Sequence, residues 1–339
     1  MLDLRRLRLL HELHRRGTVS AVAEALSYSP STVSQQLGVL QREAGTPLFE
    51  PAGRRVRLTD AALVLAGHAE ELLAGVERAE ADLASAVAGA VAGLVRVGSF
   101  QTASLNLLLP AMGALRDAHP GVQVRLVEME PEPALEALRS HALDLVLADE
   151  WAGAPRPRLA GLDREDLFTE PVALALPATH PALGGDDAGD HPAGEEVRED
   201  ARVHPAGGGG AIDLAQFAGA VWAAGDPGGG MAQLVRRVCN EHGGFDPAIH
   251  HHTNELGMLL ALVAEGHAVT LLPEIARAQD APGVAVRPIA DAALTRTVFT
   301  AARSGADRRP ALAAVREALR NIKGTVPFRK RGGQTSGSA

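Results

Sequence analysis

The chain has 339 residues, 46% hydrophobic and 22% charged, with a formal net charge of −8 and one cysteine. That is enough apolar chain for two or three cores, and no apolar run reaches the roughly 20 residues of a membrane span. The Arg-rich start has no unbroken apolar stretch, so neither a signal peptide nor an anchor is expected, and the lone Cys239 excludes an internal disulfide and suits a reducing cytoplasm.

Charge is unevenly distributed. Residues 1–60 hold nine Arg against six acids, a net +3, which leaves the remainder at −11. A basic head on an acidic body fits a DNA reader with a separate second function, although the overall balance alone argues against nucleic acid.

Leu4 to His14 repeats leucine at helical spacing (Leu4, Leu7, Leu10, Leu13) opposite Arg5, Arg8 and Arg15. Ser20 is read as the cap of a helix of under two turns, Ala21 to Leu26, which needs that first helix for support. After Ser27-Tyr28-Ser29, Pro30 opens a second helix to about Ala44, with Val33, Leu37 and Leu40 inward. Its outward face carries Ser31, Thr32, Ser34, Gln35 and Gln36, poor helix formers that supply donors and acceptors able to read base edges. Alone, that face reads as merely solvated. The context is different: Gly45 ends the helix, Pro47-Leu48-Phe49 returns to the core, and Gly53 to Thr59 alternates basic and apolar residues as a two-stranded wing does. Arg54, Arg55 and Arg57 there are candidates for phosphate contacts.

This winged helix-turn-helix, from Leu26 to Thr59, resembles the LysR-type transcriptional regulators, and sensor signatures extend the resemblance to about residue 323. The resemblance implies that the helix from Pro30 enters the major groove, with contacts at Pro30, Ser31, Thr32, Ser34 and Gln35. It also implies a homodimer or homotetramer on promoter DNA, and RNA polymerase as a partner if the protein activates. The chain departs from the family pattern where Gln35, Gln41 and Pro51 stand in place of Arg, Glu and Arg, and the first change is expected to retune base recognition.

Asp60 to about Ala88 is Ala-rich, with Leu65, Ala69, Leu72, Val76, Ala79 and Leu83 at 4-3 spacing, the pattern of a coiled-coil seam. The alternative is an amphipathic helix packed on its own domain. Its roughly 45 Å length favours pairing across a two-fold axis, which would set the about 34 Å between recognition helices.

Beyond Gly89, strands alternate with helices: Leu94–Phe100, Val122–Val127 and Asp144–Ala148 as strands, with helices at 102–118 (interrupted near Pro110) and 132–140 between them. This order predicts a parallel sheet with ligand sites at the strand carboxyl ends. A second unit has strands near 171–177, 219–223, 248–252 and 268–272, and helices at 231–242, 255–264 and 273–279. A strand at 297–302 and a closing helix through Leu312, Val315, Leu319 and Ile322 complete it. The predicted fold class is α/β multidomain: a winged head (1–59), a linker helix (60–89) and a bilobed effector-binding domain of periplasmic-binding-protein type (90–323). Lobe I is expected at about 90–160 plus 289–323 and lobe II at 161–288. Residues 184–211 read as a flexible insertion and 324–339 as a disordered tail whose basic run could add non-specific attraction to DNA.

Helix starts after Ser99 and after Asp226-Pro227-Gly228 face the proposed cleft and favour an anion, typically a carboxylate. The family resemblance places Ser99, Gln101, Thr102, Gly229 and Gly230 in the effector site. Asp226, Glu128 and Glu130 oppose an anion, which leaves a neutral or amine-bearing effector open. His250-His251-His252 alternates faces on a strand without completing a metal set, and Cys239 has no resolving partner, so no metal, cofactor or catalytic residue is expected. The sequence thus reads as a cytoplasmic, effector-sensing DNA-binding regulator. Two rivals are a bilobed solute-binding protein and a ligand-independent DNA-binding protein.

Overall fold

The computed structural model describes residues 1–52, 55–87, 91–156, 161–183 and 210–323. Arg54, most of the expected insertion and the C-terminal tail lie outside the described residues.

The head begins with α1 (Leu4–Arg16), where the Asp3 carboxylate accepts the Arg5 and Arg6 amides and Gly17, at φ 73°, closes the last turn. Helix α2 (Val19–Ala25) starts earlier than its sequence suggested. Thr18, not Ser20, is the cap: its backbone is extended, its hydroxyl accepts the Ala21 amide, and Ser20 lies inside the helix. Helix α3 (Pro30–Ala44) runs as expected from its Ser29 cap to Gly45. The wing pairs β1 (Phe49–Ala52) with β2 (Arg55–Leu58), Glu50 opposite Arg57. Gln41 holds the return loop, since its side-chain oxygen accepts the Leu48 and Phe49 amides at 2.9 and 3.2 Å. The Thr59 hydroxyl bonds the Pro47 carbonyl and caps the next helix at Ala62.

Helix α4 (Asp60–Val87) divides its loyalties. Ala62, Ala66 and Ala69 are buried with Leu7, Leu10, Val33 and Leu40 in the head core, and Leu65 packs against it. The expected seam is therefore split, with Leu65 and Ala69 turned to the chain's own head while Leu72 and Leu83 remain 47% and 66% exposed. The leucine ridge of α1 lies along the first turns of α4 and takes that face. A strict seven-residue repeat also drifts by about 20° per heptad around a straight helix, which carries its later positions toward solvent.

In the sensor, β3 (Ala92–Ser99) pairs in parallel with β4 (Gly121–Glu128) and β5 (Leu145–Trp151). The sheet is mixed rather than wholly parallel, because β11 (Thr295–Arg303) inserts antiparallel between β5 and β6 (Leu162–Pro177). Strand β6 carries the chain between lobes: residues 162–171 pair with β11, and residues 172–177 with β9 (Thr270–Pro273) and β10 (Val284–Arg287). A parallel pair, β7 (Val221–Ala224) and β8 (Ala248–His252), backs the second lobe.

The first sensor helix is α5 (Gln101–Ala103), which widens into a π turn at Ser104–Leu108 and continues as α6 (Leu109–Ala118) instead of breaking at Pro110. The remaining helices are α7 (Pro131–Arg139), α8 (Gly230–Val238), α9 (Leu256–Ala264) and α10 (Pro310–Lys323). Residues 273–279 do not form a helix. Arg277, at φ 51°, separates two 3₁₀ turns there.

Head and sensor meet at a buried ionic joint. Arg303 of β11 donates Nε to Glu77 of α4 at 2.7 Å and Nη1 to the Leu138 and Leu143 carbonyls, and His141 Nδ1 lies 3.1 Å from the same Glu77 oxygen. Gly305, at φ 92°, lets the sensor approach, since a Cβ there would stand 2.5 Å from Arg78 Cγ and 2.9 Å from the Ala74 carbonyl. Alongside, Arg15 and Arg16 of α1 both reach Glu136 of α7 and share the buried Glu12.

Burial alone would raise the Glu77 carboxyl, but the His141 hydrogen bond and the Arg303 charge and hydrogen bond hold it at about 2. A depressed carboxyl contributes stability that is full above its unfolded value near 4.5 and lost as pH falls through about 2. Glu77→Ala should therefore lower unfolding free energy by about 3 kcal/mol at neutral pH. The gap from the parent should close between pH about 4.5 and about 2, as measured by urea denaturation at a series of pH values.

Candidate functional site

Two sites take shape, one on the head and one in the sensor. On the head, the turn before α3 and its first two turns form one exposed edge: Ser27, Tyr28, Ser29, Pro30, Ser31, Ser34 and Gln35 all face solvent, with Thr32 half-buried. Ser27 takes the left-handed conformation, φ 56°, which swings the chain sharply into Ser29. The Ser29 hydroxyl lies 2.8 Å from those of both Ser31 and Thr32 and accepts the Thr32 amide at 3.1 Å, so these hydroxyls are preorganised around the helix start. Gln36 turns away, accepting from Arg6, which is itself clamped by Glu43. On the wing, Arg57 is exposed and paired across the hairpin with Glu50. Tyr28, 52% exposed at the same edge, escaped the sequence reading; an aromatic within an otherwise small, polar turn was the available signal.

The second site lies between the sensor lobes, a cavity of about 90 Å³ lined by Gln101, Thr102, Glu130, Trp151, Arg156, Gly230, Met231, Leu256 and Arg296 among others. Three of the five expected effector residues are here. Gln101 reaches across the cleft, its side-chain oxygen accepting the Leu256 amide at the start of α9 at 2.5 Å. The Thr102 hydroxyl is buried without a hydrogen-bond partner among the described residues. Gly230 abuts Trp151, where a Cβ would come within 3.1 Å of the indole nitrogen.

The other two expected residues do not line the cavity. Ser99 is fully buried and its hydroxyl donates back to the Phe100 carbonyl, while the Gly229 amide is taken by the Asp226 carbonyl at 2.8 Å. Residues absent from the sequence reading take their place. Arg296 sits beneath Phe100 and Trp151, 5.2 Å from each ring centre, and donates to Glu170 at 2.7 and 2.9 Å and to Asp149 at 3.3 Å. Arg156 is spanned between Glu132, at 2.9 Å, and the Asp149 carbonyl. Asp149 and Trp151 stand at the carboxyl end of a parallel strand, where ligand sites in such sheets collect, and that rule could have found them.

Burial raises the Asp149 carboxyl against the opposing pull of Arg296 and Arg156. Glu130 is open to the water of the cleft yet walled by both lobes. Lost solvation, then Asp149, Glu132, Asp226 and Glu128, push it up to about 7. Asp226 stands on the opposite lobe, tied to Asn254 by bonds of 2.8 and 3.0 Å.

Away from the cleft, Cys239 is buried in a π turn, and burial pushes its thiol up to about 12. Among the described residues no cluster of three His, Cys, Asp or Glu could hold a metal, and no described helix is long and apolar enough to cross a membrane.

Comparison with known proteins identifies both domains. Residues 4–63 match the bacterial regulatory helix-turn-helix protein, lysR family, and residues 88–193 and 201–322 match the LysR substrate binding domain. The chain is 26% identical over 299 residues to the transcriptional dual regulator GltC of Bacillus subtilis, covering 88% of this chain and 89% of that one. It is 33% identical over 165 residues to a probable hydrogen peroxide-inducible genes activator of Mycobacterium avium, covering 49% and 51%. Among solved structures, a full-length OxyR variant from Pseudomonas aeruginosa superposes with a TM-score of 0.57 at 22% identity, covering 94% and 95%. Full-length BenM does so at 0.52 and 21%, covering 98% and 100%. The chain belongs to the LysR family of DNA-binding transcriptional regulators, with a helix-turn-helix that binds promoter DNA and a C-terminal domain that senses a small-molecule effector.

Proposed function

We propose that base reading falls to Pro30, Ser31, Thr32, Ser34 and Gln35, with Arg54, Arg55, Arg57 and the phenol of Tyr28 on the phosphate backbone, and that the interlobe cleft is the effector site controlling them. The observation that carries this reading is the Glu77–Arg303 joint, which ties the helix leaving the DNA head to a core strand of the sensor. Effector contacts with Gln101, Thr102 and Gly230 change lobe closure. Strand β11, with Arg296 under the cleft and Arg303 at the joint, transmits the change to α4. Serine hydroxyls and a glutamine amide suit major-groove edges, while a guanidinium on the wing suits phosphate. The stripe of α4 at exposed Leu72, Ala79 and Leu83, with half-buried Val76 among them, pairs with a second copy and spaces the two heads. The protein acts in the cytoplasm without catalysis. Peroxide chemistry, suggested by the name of one relative, finds no support in a buried Cys239 whose thiolate is scarce at neutral pH.

The test is fluorescence anisotropy on DNA from upstream of the protein's own gene. Ser34→Ala combined with Gln35→Ala should weaken specific binding about tenfold or more while leaving affinity for unrelated DNA unchanged. Arg57→Ala should weaken all DNA alike and reduce the slope of log affinity against log salt by about one. If neither change alters binding, the reading face lies elsewhere. Leu72→Glu with Leu83→Glu should shift the protein toward monomer in sedimentation velocity, since each places a charge in the proposed seam; an unchanged oligomer would move the interface off this helix.

A further inference from the structure

The cleft was expected to favour a carboxylate because helix starts face it. Its charges argue the reverse. Glu130 and Glu132 at the start of α7 and Asp149 on β5 line the cavity, Glu128 on β4 and Asp226 from the opposite lobe lie near enough to act on Glu130, and Glu170 lies behind Arg296. Against these six carboxylates stand two guanidiniums, and both are spoken for: Arg296 by Glu170 and Asp149, Arg156 by Glu132 and Asp149. The helix starts are also partly used, since Gln101 accepts the first amide of α9 and the Asp226 carbonyl takes the Gly229 amide at the cap of α8. No uncommitted cation remains to receive an anion among the described lining groups, whereas acceptors are in surplus.

We propose that the effector is a small organic ammonium ion, its charged head among Glu130, the Thr102 hydroxyl and the Asp226 side of the cleft, its short apolar body against Trp151, Met231 and Leu256. The proposal rests on the cleft being the effector site. An ammonium group brings three donors and no acceptor, which matches a site offering a free carboxylate and a buried hydroxyl that lacks a partner. The volume of about 90 Å³ holds a head and a few carbons, with any longer chain leaving through the open cleft. Glu130 gives the site a pH signature. Its carboxyl, raised to about 7 in the empty cleft, must release its proton to face a cation, so binding expels a proton and strengthens as pH rises through about 7.

The experiment is isothermal titration of the full-length protein with matched probes, butane-1,4-diamine and butylamine against butanedioate and butyrate, in buffers of different ionisation enthalpy at pH about 6 and about 8. DNA anisotropy is followed in parallel. Amines should bind at least tenfold more tightly than the carboxylates of equal length, with proton release near neutral pH. Glu130→Gln should weaken amine binding roughly ten- to hundredfold and abolish the pH dependence. Equal or tighter carboxylate binding, or no amine binding at millimolar concentration, overturns the proposal. Carboxylate binding that also alters the DNA response would do so while leaving the cleft as effector site. Amine binding that is lost in Glu130→Gln but leaves DNA binding unmoved would instead uphold the ligand class and remove the cleft from control of the head.

Discussion

The ion pair between Glu77 and Arg303 is where the helix leaving the DNA head becomes part of the sensor's core, and the relative placement of the two domains depends on it. Such a pair is a poor source of net stability, because desolvating two charges offsets most of their attraction; what it supplies is direction. A guanidinium that must satisfy Glu77 and two carbonyls at once fixes both distance and rotation, which an apolar contact would leave free to slide. Gly305 matters for the same reason, since any side chain there would hold α4 off the joint. Arg15 and Arg16 on Glu136 add a second tether some sixty residues away along the chain, so the head is held to α7 as well as through its own linker.

How much of this was legible follows from how local the determining interactions are. The head was readable because caps, the proline at the first turn of α3 and the leucine ridges act within a few residues; the cap of α2, Thr18 rather than Ser20, is a choice between two hydroxyl-bearing residues two positions apart. Strand β6 was half missed. Its first half, Leu-Asp-Arg-Glu-Asp, looks like a polar loop, and it becomes a strand because Arg316 and Arg320 of α10 and Glu150 of β5 satisfy its charges from elsewhere in the fold. The seam of α4 was readable as a pattern but not as an assignment, since period alone cannot say whether Leu65 and Ala69 face a partner or the chain's own α1.

The sites divide along the same line. Ser34, Gln35 and Arg57 stand exposed as their patterns suggest, because a polar face is a local feature of one helix and one hairpin. The cleft is not local, because its charge is decided by pairs such as Arg296 with Asp149 and with Glu170, separated by 147 and 126 residues. A sequence displays the helix starts that attract an anion and hides whether other groups have already filled them. Gln101 on Leu256 is the clearest case: the side chain expected to bind effector in the first lobe is spent on the helix end expected to bind it in the second. That hydrogen bond also latches the lobes together.

The two ends of the molecule therefore present opposite electrostatic problems, and the chain solves them with the same device. On the wing, Glu50 holds the Arg57 guanidinium across the hairpin. The cleft holds its guanidiniums still with Asp149, Glu170 and Glu132, but with more acid than they neutralise. On the wing Glu50 and Arg57 are both exposed, where their attraction is weak and easily displaced. In the cleft Arg296, Asp149 and Glu170 are buried, so their exchange for an outside anion would strand a desolvated carboxylate. Burial, more than the identity of the residues, decides which arginine can be offered to a partner and which cannot.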